Sequence, residues 1–214
     1  MKTLLVNEIF LSIQGESTFA GLPFVFVRLT GCSLRCSYCD TQYAFYEGES
    51  LAIEDIITKV QSYKISHVLI TGGEPLDQKN CKYLIEALLL HNMKVLVETA
   101  GNHNIRNYPK QAHYIIDIKT PSSNMKDSFN LGNFSELSDK DELKFVIGDK
   151  KDYEYAKTII NKNQLSLKTI ILFTPVFDRI KPELLASWIL ADKLNVRFQL
   201  QLHKYIWDPD TQGV

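Results

Sequence analysis

Three of the chain's four cysteines, Cys32, Cys36 and Cys39, fall in the single stretch Gly31-Cys32-Ser33-Leu34-Arg35-Cys36-Ser37-Tyr38-Cys39-Asp40-Thr41. Three thiolates can hold three irons of a cubane cluster and leave the fourth iron open to a small molecule, which makes that iron a place for chemistry. A structural zinc site would need a fourth ligand. Cys81 or one of the five histidines could supply it, although such sites usually come as paired C-x2-C units. Disulfides fit less well, since one of the three would be left unpaired and nothing points to an oxidising compartment.

The elements that must position these thiols begin with Phe24 to Thr30, a β-branched and aromatic run of strand length directly before the cysteine loop. Arg28 lies inside it. A buried arginine needs an anion to offset its desolvation, either a protein carboxylate or a substrate. Upstream, Asn7 to Phe19 contains Ile13-Gln14-Gly15-Glu16-Ser17 and reads as a strand or loop ahead of the main fold, or as a surface hairpin. Downstream, Ser50 to Tyr63 has helical spacing at Ile53, Ile56, Ile57 and Val60. The strand His67 to Thr71 follows and ends in Gly72-Gly73-Glu74-Pro75. A helix from about Gln78 to His91 contains Cys81, which reads as a small buried hydrophobe. Strands are then expected at Lys94–Thr99, Tyr114–Lys119, Glu142–Ile147, Thr169–Thr174 and Val196–Leu202. Helices are expected at Asp152–Ile160 and Pro182–Leu194, with a long loop from Thr120 to Lys140 and a tail from His203.

Strands alternating with helices imply parallel βαβ units, and the length falls short of the ~250 residues of a complete eight-stranded barrel. An incomplete (β/α) barrel fits both, as would a doubly wound open sheet. With 214 residues, 45% of them hydrophobic, and a formal net charge of −1, one domain spanning 1–214 with a single core is expected. The apolar start breaks at Asn7 and Glu8, too early for a signal peptide, and no run approaches the ~20 apolar residues of a membrane helix. A cytoplasmic protein without a membrane partner follows. Near-neutral charge leaves no basic footprint for nucleic acid, so a small molecule is the expected substrate.

In parallel β/α folds, sites collect at the C-terminal ends of strands, which is where the cysteine loop, the Gly72–Pro75 turn, Glu98–Gly101 and Asp117–Ser123 fall. The C-x3-C-x2-C loop with Tyr38 before its last cysteine, followed one strand and helix later by Gly-Gly-Glu-Pro, resembles the radical S-adenosylmethionine (SAM) superfamily. Ile13-Gln14-Gly15-Glu16, Arg28, Cys39-Asp40-Thr41, Thr71-Gly72-Gly73-Glu74-Pro75 and Gln201-Leu202-His203-Lys204-Tyr205 resemble, within it, the 7-carboxy-7-deazaguanine synthases. The resemblance implies the superfamily's incomplete TIM-like barrel, a 4Fe-4S cluster, SAM and Mg²⁺. It also implies a lyase that converts 6-carboxy-5,6,7,8-tetrahydropterin to 7-carboxy-7-deazaguanine and ammonia in queuosine and deazapurine biosynthesis, a deoxyadenosyl radical abstracting and returning the hydrogen at C6. By the same resemblance, Cys32, Cys36 and Cys39 hold the cluster and Thr41 holds Mg²⁺. Ile13, Gln14, Gly15, Glu16, Arg28, Thr71 and His203 meet the pterin. Tyr38, Cys39, Asp40, Gly73, Glu74, Glu98, Asp117, Ile118, Lys119, Ser122 and Thr174 line the SAM side. From the residues alone, Glu98, Asp117 and Lys119 serve equally as strand-end ion pairs, Ser122 as an ordinary strand-end polar residue, and His203 as a structural histidine. A flavodoxin or ferredoxin as electron donor and a homodimer belong to the same expectation. Some members place their terminal carboxylate in the active site, whereas this chain continues from Tyr205 through Asp208 to Val214. Two other readings are a glycyl-radical-enzyme activase, which leaves Ile13–Glu16 and Arg28 without a reason, and a non-catalytic iron–sulfur or zinc module.

Overall fold

A computed structural model describes residues 2–214. One open nine-stranded sheet runs in the order β3-β1-β2-β4-β5-β6-β7-β8-β9. Its strands are β1 (Thr3–Ile13), β2 (Pro23–Leu29), β3 (Glu49–Ala52), β4 (His67–Gly72), β5 (Lys94–Thr99), β6 (His113–Asp117), β7 (Glu142–Ile147), β8 (Ile170–Pro175) and β9 (Arg197–Phe198). The helices are α1 (Ile53–Ser62), α2 (Cys81–Leu90), α3 (Lys150–Asn163), α4 (Pro182–Asp192) and the short α5 (His203–Ile206). From β2 to β9 every neighbouring pair is parallel, as the alternation of strands and helices requires. The sheet does not close, so the incomplete barrel is the architecture found.

Three boundaries differ from those expected. The segment read as a strand or loop from Asn7 to Phe19 is both, strand to Ile13 and loop beyond it, and it belongs to the sheet itself: β1 pairs antiparallel with both β2 and β3, extending the parallel sheet by two strands. β3 occupies the start of the stretch read as a helix from Ser50. Its four residues are too few for a period-2 pattern to stand out against the helical spacing that follows. The expected strand Val196–Leu202 shrinks to Arg197 and Phe198, because Gln199 and Gln201 turn inward to hydrogen-bond Thr174 and Glu16 instead of continuing the ladder.

Period 2 separates two faces. Val25, Val27, Val68, Ile70, Val95, Val97, Tyr114, Ile116, Leu143, Phe145, Ile171 and Phe173 pack against the helices in the main core. α1 contributes Ile53, Ile56, Ile57 and Val60, the stripe read from the sequence, and α2 contributes Leu84, Ile85, Leu88 and the fully buried Cys81. The opposite face lines the barrel interior, and its lower part is apolar: Phe24, Phe26, Leu69, Leu96 and Ile115, closed by Phe10 and Phe19. Its upper part, one step along each strand, carries Arg28, Thr71, Glu98, Asp117, Lys144 and Thr174.

β1 takes part in both faces. Leu4 and Val6 lie in the helix-side core, whereas Phe10 packs with the interior cluster. A register irregularity between Val6 and Glu8 makes the exchange. Beyond it, Glu8 stands directly across from Arg28.

Leu84 is fully buried between α2 and the sheet. Leu84→Ala should destabilise the protein by about 2–5 kcal/mol in chemical denaturation, the usual range for a truncated core leucine.

Candidate active site

The cysteine loop is pinned at both ends by neighbouring strand termini. Gly31 N–H donates to Ala44 O at 2.9 Å, and Gly31 O accepts from Glu74 N–H at 2.8 Å. Ser33 donates through its backbone and hydroxyl to Asp77 at 2.7 and 3.1 Å. At the far end Ser37 donates to Ser123 O at 3.0 Å and, through its hydroxyl, to Ser122 O at 2.6 Å. Cys32, Cys36 and Cys39 are half-buried, and burial pushes all three thiols above their usual range. Among the described residues no three His, Cys, Asp or Glu side chains are drawn together on one metal ion. A cubane asks for something different: thiolates spread over separate irons, as three cysteines along a fixed loop can provide.

Gly73 sits against this loop. A Cβ there would come within 2.2 Å of Gly31 O and 2.7 Å of Cys32 Cβ, so only glycine lets the turn after β4 reach the cluster loop. Glu74 beside it is fully buried. Its carboxylate accepts from Leu76 N–H at 2.9 Å, the Thr99 hydroxyl at 2.8 Å and Ala100 N–H at 2.6 Å. Its side chain therefore braces the ends of β4 and β5. Ile118 likewise turns its side chain into the helix-side core, its N–H donating to Lys144 O at 2.9 Å. Ser122 gives its hydroxyl to Asp152, a fully buried carboxylate that also takes Ser122 N–H and Gly148 N–H at 2.8 Å each. Tyr38 approaches Thr120 Oγ1 at 3.4 Å, and burial, reinforced by the charge of Asp117, pushes its phenol up to about 12.

At the centre of the opening, Lys144 holds Glu16 at 2.6 Å, Glu98, and Asp117 at 3.8 Å. Lys119 takes Asp117 from the other side at 2.8 Å. Burial alone would lower the Lys144 ammonium, but its carboxylates hold it well above the usual lysine range. Burial also works against Glu16, yet Lys144 outweighs it and keeps that carboxyl low. Glu98 shares the same ammonium, and there burial prevails and pushes the carboxyl up. Two buried polar atoms around this cluster, Asp117 Oδ1 and Gln14 Nε2, have no hydrogen-bond partner, although both residues are more than nine-tenths buried. Uncompensated groups of this kind are what a bound ligand satisfies.

Arg28 finds its anion within the protein. Its Nε donates to Glu8 Oε1 at 2.7 Å, and the Tyr43 hydroxyl reaches the same oxygen at 2.9 Å. The terminal guanidinium nitrogens make no hydrogen bond to the described residues and remain available to a second anion. Thr71 stands beside Arg28 on the neighbouring strand.

The C-terminal residues close the site. His203 begins the helix α5 rather than ending a strand, and its ring fills the space next to Gly15, where a Cβ would lie 2.1 Å from Nδ1. Leu202 N–H donates to Gly15 O at 2.9 Å. Gln201 donates to Glu16 at 2.8 Å, while Gln199 donates to Thr174 Oγ1 and accepts from Ser17 N–H, each at 2.9 Å. Lys204 pairs with Asp40 at 2.7 Å and, against the effect of burial, holds that carboxyl well below the usual range. Thr41 follows, its hydroxyl donating to Asp40 at 3.0 Å. Ile13, at the end of β1, leads into the segment Gln14–Glu16.

Most of the sequence-derived residues thus gather around one opening, at the C-terminal ends of the parallel strands, whereas the side chains of Ile118 and Glu74 turn away into the packing around it. Lys144 escaped sequence reading, although it carries much the same signal as Arg28: a cation inside a strand of mostly apolar residues. Gln199, Glu8 and Asp152 left no such signal, because their partners lie 182, 20 and 30 positions away. Two cavities lie away from this opening. One, of about 360 Å³, is at the opposite end of the strands beside Phe19, Lys94 and His113, and the other, of about 240 Å³, is beside Tyr114 and Glu136. Removing the central cation should be severe. Lys144→Met is expected to cost about 3–5 kcal/mol in urea denaturation, because it leaves buried carboxylates without their counter-charge.

Comparisons with known proteins give the same picture. Residues 26–162 match the Radical SAM superfamily. The 7-carboxy-7-deazaguanine synthase of Chlorobaculum tepidum is 44% identical over 212 residues, covering 98% of this chain and 96% of that protein. Those of Koribacter versatilis and Clostridium acetobutylicum are 39% and 37% identical, each again over 98% of this chain. Among solved structures, QueE from Escherichia coli superimposes with a TM-score of 0.79 at 24% identity, covering 94% of this chain and 95% of that one, and so shares the fold. SuiB of Streptococcus suis matches at 0.59 over 83% of this chain and 48% of its own. Identity sustained from one end of the chain to the other places it in the radical SAM superfamily and, within that, in the 7-carboxy-7-deazaguanine synthase family.

Proposed function

We propose that the chain is a radical SAM lyase that converts 6-carboxy-5,6,7,8-tetrahydropterin to 7-carboxy-7-deazaguanine and ammonia in queuosine and deazapurine biosynthesis. The observation that carries this reading is the convergence of the cluster loop, the Gly73 turn and the Gln14–Glu16 segment on one opening that still holds unpaired buried polar atoms. Family membership across nearly the whole chain favours it over an activase or a non-catalytic metal module.

When bound, the cluster and SAM would supply the radical chemistry that reversible hydrogen abstraction at C6 of the pterin needs. The protein's own residues hold the reactants in place for that transfer. Cys32, Cys36 and Cys39 are the cluster ligands, with Cys81 buried away from them in the helix-side core. The Gly73 backbone, Tyr38, Asp117, Lys119 and Thr174 form the SAM side, with Asp117 Oδ1 offering an unused acceptor. Gln14, Gly15, Thr71 and His203 form the pterin side, Gln14 Nε2 being its unused donor. Arg28, oriented by Glu8, presents its remaining donors to the substrate carboxylate as a bidentate pair. Thr41 would offer its hydroxyl oxygen to Mg²⁺, a cation that prefers hard oxygen ligands. The reading also takes residues 1–214 as one domain working in the cytoplasm as a homodimer, with a flavodoxin or ferredoxin as electron donor. In support of the compartment, no described helix is long and apolar enough to cross a membrane.

Anaerobic incubation of the reduced, reconstituted protein with SAM, Mg²⁺ and carboxytetrahydropterin should yield 7-carboxy-7-deazaguanine, detected by mass. Cleavage of SAM without that product would overturn the substrate assignment. Cys36→Ala should lose cluster iron and activity, while Cys81→Ala keeps both. Arg28→Lys should raise the KM for the pterin by about tenfold or more, since a point charge cannot reproduce a two-donor fork, while iron content and SAM affinity hold.

A further inference from the structure

The C-terminal helix reaches past the substrate segment to the loop beyond the last cysteine. Lys204 Nζ lies 2.7 Å from Asp40 Oδ2, and Gln201 approaches the same oxygen at 3.4 Å. The Lys204 side chain is only 9% exposed, whereas that of Asp40 is 49% exposed. Among the described residues Lys204 is the only cation within ion-pair distance of this carboxylate. The other oxygen, Asp40 Oδ1, accepts the hydroxyl proton of Thr41 at 3.0 Å. A contiguous chain therefore runs from α5 through Asp40 to Thr41.

A threonine hydroxyl has one proton and two lone pairs. Once its proton is committed to a carboxylate, it can offer only lone pairs in the remaining directions, which is what a hard cation requires. The commitment holds only while the carboxylate stays in place, and a half-exposed aspartate on a loop needs an anchor to do so. Lys204 supplies it. We infer that Lys204 is a positioning residue for the divalent cation, acting through Asp40 to aim the Thr41 oxygen. The inference rests on the reading that Thr41 holds Mg²⁺ against the pterin. The tail also meets the substrate segment through Leu202 N–H and the ring of His203 beside Gly15, contacts that do not involve Lys204.

The test uses oxidised, anaerobic holoenzyme with SAM and carboxytetrahydropterin, so that nothing turns over. Mn²⁺ is the probe, and the free ion is counted by electron paramagnetic resonance. Lys204→Met should weaken Mn²⁺ binding by about tenfold or more, the usual effect of losing an outer partner of a metal ligand, and Lys204→Arg should recover most of it. Iron content and cation-free pterin affinity should stay at parent levels in both variants. In a Thr41→Ala background, Lys204→Met should have no further effect on Mn²⁺. Parent-like Mn²⁺ affinity in Lys204→Met would overturn the inference. So would a parallel fall in cation-free pterin affinity, which would make Lys204 a tether for the tail. If the parent protein itself takes up no Mn²⁺ in the presence of pterin, the cation assignment of Thr41 fails, and the inference fails with it.

Discussion

A single buried ammonium organises the open end of this sheet. Lys144 draws Glu16 from the segment after β1, Glu98 from β5 and Asp117 from β6 onto one point above the apolar floor of Phe24, Leu69, Leu96 and Ile115. Without a central cation, three carboxylates at such depth would repel one another and seek water. With it, they define the height at which the interior changes from hydrocarbon to charge, and so the floor on which any ligand rests. Burial strengthens each of these attractions and also makes each member of the cluster costly to leave unpaired. The arrangement is therefore rigid in position and polar in character, as a site that must orient a reactive fragment requires.

Around that floor the walls come from distant parts of the chain. The cluster loop is braced by Asp77 and Ser123, the Gly73 turn is braced by the buried Glu74, and the final turn of the chain rests on Gly15 and Asp40. Asp77, Glu74 and Asp40 brace through side chains and Ser123 and Gly15 through backbone carbonyls, all of them beyond strand ends where the ladder has stopped supplying partners. The regular part of the sheet sets distances between strands. The irregular ends, held by these carboxylates and hydroxyls, set the shape of the opening.

Much of this was legible before any coordinates. Strand-length apolar runs located β2, β4, β5 and β7 closely, and the stripe on α1 matched its buried face, because burial on one side leaves a periodic record in the sequence. The cysteine spacing and the glycine turn carried over for a similar reason: the geometry they serve is local. The misreadings were non-local. β3 and β9 are edge strands of four and two residues, defined by their neighbours more than by their own composition. His203 looked like the end of a strand because the glutamines before it alternate with apolar residues, yet those glutamines turn inward, Gln199 to Thr174 at the end of β8 and Gln201 to Glu16 in the segment after β1. Arg28 posed a question that sequence could phrase but not answer, and Glu8 answers it only because a register shift in β1 turns that carboxylate inward.

That shift has an implication for how the first strand can vary. Its initial residues, Leu4 and Val6, act as sealant for the helix layer, while those past the irregularity present Glu8 and Phe10 to the interior. The bulge works as a coupling between two gears of opposite phase, and without it Leu4, Val6, Glu8 and Phe10 would all keep to the same face. Lineages are free to alter the first half by the rules of core packing and the second by the rules of ligand chemistry. The one feature both halves must keep in common is the extra residue between them.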